Sequence, residues 1–179
     1  AIITGAARGN GKAMAEGLAK AGTTVILVDL LEKELKETAE EFSCEGLKAI
    51  GMCVDITCDA EVTKLVDFAF KEFKRIDFLV NNAGVSYSHD FVDYPSEAWD
   101  KTYKVNIKAP FELSQKIVKV MKENNFGSII NVTSMNAELA FPDNPAYVAF
   151  KGALKQLTKS MALDLGKFGI RVNCIGPGY

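Results

Sequence analysis

Short apolar runs rich in Val, Ile and Leu recur along the chain, separated by longer stretches in which apolar positions return every three or four residues. The runs are AIIT at 1–4, TTVILVD at 23–29, LKAIGMCVD at 47–55, IDFLVNN at 76–82, SIINVTS at 128–134 and IRVNCI at 170–175. Each is bounded by Gly, Asp, Asn or Ser, as strand ends are. Continuous apolar strands alternating with helix-length segments indicate parallel strands covered on both faces and joined by right-handed helical crossovers. The pattern therefore predicts a doubly wound α/β sheet, a Rossmann-type fold, as one domain over residues 1–179. Residues 96–124 read as one amphipathic helix, with Trp99, Tyr103, Ile107, Phe111, Val118 and Met121 near one face.

Composition removes several function classes. With 179 residues, 48% of them hydrophobic, the chain can bury a core of ordinary size. A net charge of −2, with lysines interspersed among acids, offers no footprint for nucleic acid. Cys44, Cys53, Cys58 and Cys174 form no C-x-x-C pair and His89 is the sole histidine, so neither a zinc site nor a redox dithiol is expected. The four thiols are expected to be reduced and mostly in the core. No apolar run reaches membrane-spanning length and the amino terminus lacks a signal-peptide layout, which leads to the expectation of a soluble, cytoplasmic protein with no membrane partner. Opening on AIITGAARGNG without Met and ending at NCIGPGY, the chain reads as a domain incomplete at both ends and truncated after its sixth strand.

Doubly wound sheets bind ligands beyond the carboxyl ends of their strands, and chemically capable residues gather there. The segment Thr4-Gly5-Ala6-Ala7-Arg8-Gly9-Asn10-Gly11 follows the first strand and opens a helix from about Lys12 to Ala21. Glycines allow a tight turn and close approach to a pyrophosphate, whose charge is favoured at a helix start. Asp29 ends the second strand, where an acid can take ribose hydroxyls and repel a 2′-phosphate, so NAD is the preferred cofactor. Its plainer role is an N-cap for a helix over 31–43. Arg8 keeps NADP open, because a guanidinium in this loop could meet a 2′-phosphate.

Tyr147 and Lys151 stand one turn apart on a helix that Asn144 would cap and Pro145 would start. A phenol has a pKa near ~10, and a neighbouring ammonium favours its phenolate form. Ser134 ends the fifth strand, where its hydroxyl can donate to a substrate carbonyl as negative charge develops. Thr133 is the rival donor, but strand alternation turns it to the opposite face. Pro110 has no N–H, so the Asn106 carbonyl loses its i+4 donor and the helix should bend there. Each residue alone also has a plain reading: Tyr147 a half-buried aromatic, Lys151 a solvated charge, Ser134 a strand-end cap, Asn106 a space-filler at a kink.

Taken together, T-G-x-x-x-G-x-G, the Asn81-Asn82-Ala83-Gly84 segment, Ser134, Tyr147-x-x-x-Lys151 and RVNCIGPG at 171–178 resemble the short-chain dehydrogenase/reductase family along the whole chain. The resemblance implies an NAD(P)-dependent oxidoreductase interconverting a secondary alcohol and a ketone, with 3-oxoacyl-acyl-carrier-protein reductases and sugar or polyol dehydrogenases as the nearest types. It implies catalytic roles for Asn106, Ser134, Tyr147 and Lys151, with a water on the Asn106 carbonyl linking Lys151 to solvent. Cofactor contacts are implied at Gly5, Arg8, Gly9, Asn10, Gly11, Asp29, Asp55, Asn82, Ala83, Gly84, Tyr147, Lys151, Pro177 and Gly178. Asp55 would sit in the adenine pocket, although capping a helix after Thr57 explains it nearly as well, and Asn81 would brace the sheet. Lys151 would also bond the nicotinamide ribose. Two positions depart from the family pattern: Asn10, usually small and aliphatic, and Phe150, usually serine. A homodimer or homotetramer paired through 96–124 and 145–167 is also implied. The rival classes are a non-catalytic nicotinamide-binding sensor or scaffold, and a sugar-nucleotide epimerase or dehydratase. The latter expects a different glycine spacing and a longer substrate domain.

Overall fold

The structure is a computed structural model and describes residues 1–178. Six parallel strands run β1 (Ile2–Thr4), β2 (Val25–Asp29), β3 (Ala49–Cys53), β4 (Phe78–Asn81), β5 (Gly127–Val132) and β6 (Ile170–Ile175). They lie in the order β3-β2-β1-β4-β5-β6, a doubly wound parallel sheet as the apolar runs predict. The order reverses between β1 and β4, which pair with Ile2 beside Leu79 and Ile3 beside Val80. Loops leaving these two strands diverge, and the crevice between them is the ligand position of such sheets.

Side-chain alternation divides the core. Ile2, Ile26, Val28, Leu79 and Ile129 face one layer, built by α3 (Asp59–Phe73), α5 (Ala109–Glu123) and the end of α6 (Pro145–Leu165). Ile3, Leu27, Val80 and Val132 face the other, built by α1 (Gly9–Lys20) and α2 (Glu32–Cys44). Ile3, Leu27, Leu79 and Ile129 have no exposed surface, and each such side chain contributes about 1.5–3 kcal/mol relative to an exposed one. The edges are different: β3 is half-exposed and the Asn173–Ile175 end of β6 is exposed, because no further strand lies outside them among the described residues.

The segment expected as one helix over 96–124 is three pieces. The helix α4 (Ser96–Tyr103) runs into a π turn (Lys104–Lys108) and then α5. Ala109 donates to the Lys104 carbonyl five residues back, placing Pro110 in the first turn of α5, a position that tolerates proline. The extra residue slips the apolar register. Trp99, Tyr103 and Phe111 are exposed, and the buried stripe is Thr102, Asn106, Ala109, Leu113, Ile117 and Met121.

The thiols also differ from expectation. Cys44, Cys53 and Cys174 are exposed, Cys58 is half-buried and all four are free. Cys44 ends a helix and Cys53 and Cys174 lie on edge strands, so none reaches a core face. Among the described residues no group of three or more His, Cys, Asp or Glu could hold a metal ion, and no helix is long and apolar enough to cross a membrane.

Candidate active site

The loop after β1 is shaped by its glycines. Gly5 and Gly9 take positive φ of 65° and 58°, which side chains disfavour. Gly11 needs its hydrogen for a different reason: a Cβ there would lie 2.0 Å from the Gly5 carbonyl oxygen. The loop thus folds onto itself and delivers the start of α1 to the strand ends. That helix starts at Gly9 rather than Lys12, with Arg8 at the N-cap and no acid in its first turn, leaving the positive helix end free for an anion.

Neighbouring groups hold the loop. Thr4 Oγ1 accepts from the Asn82 and Ala83 N–H groups at 3.0 and 3.1 Å, and Asn82 Nδ2 donates to the Thr4 and Gly5 carbonyls. Thr38 Oγ1 donates to the Ala7 carbonyl at 2.8 Å. Thr4 and Thr38 were not singled out in the sequence, although Thr4 precedes the first glycine of the motif. Asn81 braces the sheet below, donating to Asn131 Oδ1 at 2.8 Å and Ser114 Oγ at 3.1 Å.

Asp29 Oδ2 accepts from the Ala7 N–H at 3.0 Å, and its Oδ1 accepts from Leu30 and Leu31. It is therefore a turn and loop holder rather than a helix N-cap, since Leu31 occupies that position. Asp55 accepts from both the N–H and the hydroxyl of Thr57, again in a turn, with Cys58 at the N-cap of α3. A cleft of about 380 Å³ is lined by Gly5, Arg8, Asp29, Asp55, Asn82, Ala83 and Gly84, together with Lys101 and Val105.

A second cleft, of about 450 Å³, shares Asn82, Gly84 and Val85 with the first, so the two form one groove along the strand ends. Asn10, Ser134, Tyr147, Lys151, Pro177 and Gly178 line it, with Asn136 and Asn144 from the segment 135–144 that the sequence places on the substrate side, and with Ser86, to which the sequence assigned no role. Lys151 is only 3% exposed; its Nζ donates to the Val132 carbonyl at 2.7 Å and lies 5.5 Å from the centre of the Tyr147 ring. Burial lowers its pKa from 10.5 to about 8. Ser134 Oγ accepts from the Asn136 N–H at 3.1 Å, which leaves its own proton to be donated. The Thr133 hydroxyl is committed to the Ile175 carbonyl at 3.0 Å. Main-chain bonding from Met135 to the Pro177 carbonyl fixes the turn after β6 against this wall.

Asn106 lies beneath the groove, with no exposed surface. Its amide pairs with both backbone groups of Val85 at 2.9 Å, fixing the loop after β4. The Gly84 turn packs beside both groups: a Cβ there would lie 3.4 Å from Asn106 Oδ1 and 3.5 Å from Lys151 Nζ, in ordinary contact. Phe150 points away from the groove, packing edge-on against Trp99 with ring centres 4.8 Å apart.

A profile for the short chain dehydrogenase family matches residues 1–179. The chain belongs to the short-chain dehydrogenase/reductase family. The 5-keto-D-gluconate 5-reductase of Escherichia coli (strain K12) is 36% identical over 178 residues, covering 99% of this chain and 70% of that protein. Among solved structures, a gluconate 5-dehydrogenase from Burkholderia cenocepacia J2315 in complex with NADP and tartrate superposes with a TM-score of 0.94 at 35% identity, covering 99% of this chain and 70% of that one. An NAD+-bound xylitol dehydrogenase gives 0.96 at 35% identity, covering 99% and 69%. This short-chain dehydrogenase/reductase is thus an NAD(P)-dependent oxidoreductase acting on CH–OH groups. The groove fits the dinucleotide that the family binds: left-handed glycines, a helix start free of acids and Gly11 with no room for a side chain.

Proposed function

We propose that this short-chain dehydrogenase/reductase interconverts a secondary alcohol and a ketone on a polyhydroxylated substrate, using Ser134, Tyr147, Lys151 and Asn106. The observation that carries the proposal is the buried Lys151 ammonium beside the Tyr147 ring, in the same cleft as the free proton of Ser134. In reduction, the Ser134 hydroxyl donates to the substrate carbonyl oxygen and Tyr147 passes its proton to that oxygen as the carbon takes up hydride. In oxidation Tyr147 accepts the proton and the same carbon gives up hydride. The bound nicotinamide supplies or receives that hydride. Lys151 holds positive charge next to Tyr147 and would bond a ribose hydroxyl of a bound dinucleotide. The Asn106 carbonyl, deprived by Pro110 of its i+4 donor, holds a water through which Tyr147 regains its proton by way of Lys151.

A dinucleotide in the groove would be held by Gly5, Arg8, Gly9, Asn10 and Gly11 at its pyrophosphate, Asp29 at its ribose, Asp55 at its adenine, Asn82, Ala83 and Gly84 along its length, and Pro177 and Gly178 at its nicotinamide. NAD is the preferred partner, because Asp29 carries negative charge where a 2′-phosphate would lie. The polyhydroxylated substrate is supported by the hydroxyl and amide groups lining the cleft, and by relatives named for gluconate, ketogluconate and xylitol. A cytoplasmic homodimer or homotetramer, paired through α4, α5 and α6, fits exposed Trp99, Tyr103, Phe111 and Leu163. Light scattering at several concentrations that returned only monomer would remove that assignment.

The deciding assay follows reduced-nicotinamide absorbance with NAD and NADP in parallel, against sugar acids, polyols, hydroxysteroids and 3-oxoacyl thioesters. Turnover of a sugar acid or polyol with NAD is expected. Dinucleotide binding without turnover of any compound would make the protein a sensor or scaffold instead.

A further inference from the structure

Two serines line the catalytic cleft, and both have their oxygens anchored by an amide N–H. Ser134 Oγ accepts from the Asn136 backbone at 3.1 Å, and Ser86 Oγ accepts from Asn144 Nδ2 at 2.6 Å. A hydroxyl that accepts from a fixed donor keeps its proton free to point elsewhere. For both serines, elsewhere includes the cleft.

The Asn144 amide gives up something to make this contact. Asparagine at an N-cap ordinarily accepts from its helix's first-turn N–H groups, and Asn144 stands at the N-cap of α6. It makes no side-chain cap bond, and its Oδ1 is sealed from solvent without a partner. Buried polar atoms almost always find partners, so this exception needs a reason. The residue before it, Asp143, takes a φ of +60°, the left-handed conformation that aspartate adopts more readily than most side chains, and turns the chain into α6. Its carbonyl accepts from the His89 N–H at 2.9 Å, a second tie between the loop before α6 and the loop after β4. The Tyr94 hydroxyl donates to the Tyr87 carbonyl at 2.9 Å and stiffens the latter loop. Local cap geometry is given up while two distant loops are fixed with Ser86 at the groove mouth.

We propose that Ser86, oriented by Asn144, is a second substrate-directed hydrogen-bond donor, reading an oxygen on the carbon chain beside the reacting carbon. Ser134 serves the reacting oxygen; Ser86 serves a neighbouring hydroxyl or carboxylate oxygen. This makes the mouth of the cleft selective for substrates carrying oxygen next to the oxidised centre, and it rests on the polyhydroxylated-substrate reading above.

The test compares kcat/KM for pentitols and hexonates with the matching monodeoxy compounds that lack the neighbouring oxygen. In the wild type the oxygenated member is favoured, and Ser86→Ala lowers that preference about tenfold, mainly through KM, with dinucleotide affinity unchanged. Ser86→Thr retains it. Asn144→Asp replaces the anchoring N–H by an acceptor, turns the Ser86 proton inward and lowers the preference as Ser86→Ala does. Equal losses on both members of each pair, or an unchanged preference in Asn144→Asp, would overturn the assignment while leaving the reaction intact. A wild type that turns over only acyl thioesters or steroids would overturn the polyol reading and this inference with it.

Discussion

The two halves of the groove are built differently. Around Asp29 and Asp55 the polar groups are held largely by near neighbours in sequence: Leu30, Leu31 and Thr57 lie within two residues of the acid they bond, and Ala7 within 22. Around Tyr147 the supports come from farther along the chain and from other elements: Val132 to Lys151, Val85 to Asn106 and Ser86 to Asn144 are separated by 19, 21 and 58 residues. The two acids of the first half sit in local turns that a ligand can use, with one tie from Asp29 to Ala7 between neighbouring strands; the supports of Lys151, Asn106 and Ser86 in the second all cross between separate elements. Substitutions in the first half should therefore alter affinity and cofactor choice, and those in the second the chemical step.

Tyr147→Phe breaks the comparison most sharply. Turnover should fall by about a thousandfold or more, the scale of a lost general acid, while dinucleotide affinity measured by titration stays within about twofold. Retained activity would remove Tyr147 from the mechanism. Next in size is Gly11→Ala. Its methyl would meet the Gly5 carbonyl at 2.0 Å, so dinucleotide affinity should drop by about a hundredfold and the melting temperature should fall by several degrees. Gly9→Ala has open space around it and only the left-handed strain, about 1–2 kcal/mol, so its effect should be clearly smaller. Equal effects would show that the left-handed backbone at Gly9 matters to the loop as much as the space at Gly11.

Asp29→Ala should shift the NAD-to-NADP ratio of kcat/KM toward NADP by about tenfold, and should lower stability by roughly 1 kcal/mol because Ala7, Leu30 and Leu31 lose their acceptor. An unchanged ratio would move cofactor choice to Arg8. The last effect is read on stability alone and leaves the chemistry of the groove untouched. Burial lowers Lys151 from 10.5 to about 8, so between those values the folded chain has released a proton that the unfolded chain keeps. Stability contributed by this group therefore rises with pH across that window and is lowest below about pH 8, where both states hold the proton. Denaturant titrations at several pH values should show this rise, on the order of 3 kcal/mol, in the wild type and not in Lys151→Met.

The strands, their parallel arrangement, the glycine loop and the helical turn joining Tyr147 to Lys151 were legible because they depend on periodicity and on residues a few positions apart. The errors have the same origin. The helix over 96–124 was read with one period, but the π turn adds a residue, so Trp99, Tyr103 and Phe111 reach the surface while Thr102 and Asn106 go inside. Asn144 was expected as a cap from its position before Pro145; its amide instead bonds Ser86, and no local rule couples residues 58 apart. The cysteines were placed in the core by their usual preference, yet edge strands β3 and β6 give them no interior to enter.

The sequence by itself determined the family, the strands of the parallel sheet and the residues at each strand's carboxyl end, because hydrophobic period and backbone-specific residues such as Gly5 and Pro145 act within one turn or one strand. Only the tertiary structure decided which polar group each of them faces. Lys151 loses its water because β5 lies beside α6, Asn106 turns to Val85 because the π turn aims it there, and Ser86 acquires its anchor because two distant loops meet. Those are consequences of burial and geometry between elements, which a one-dimensional pattern does not contain.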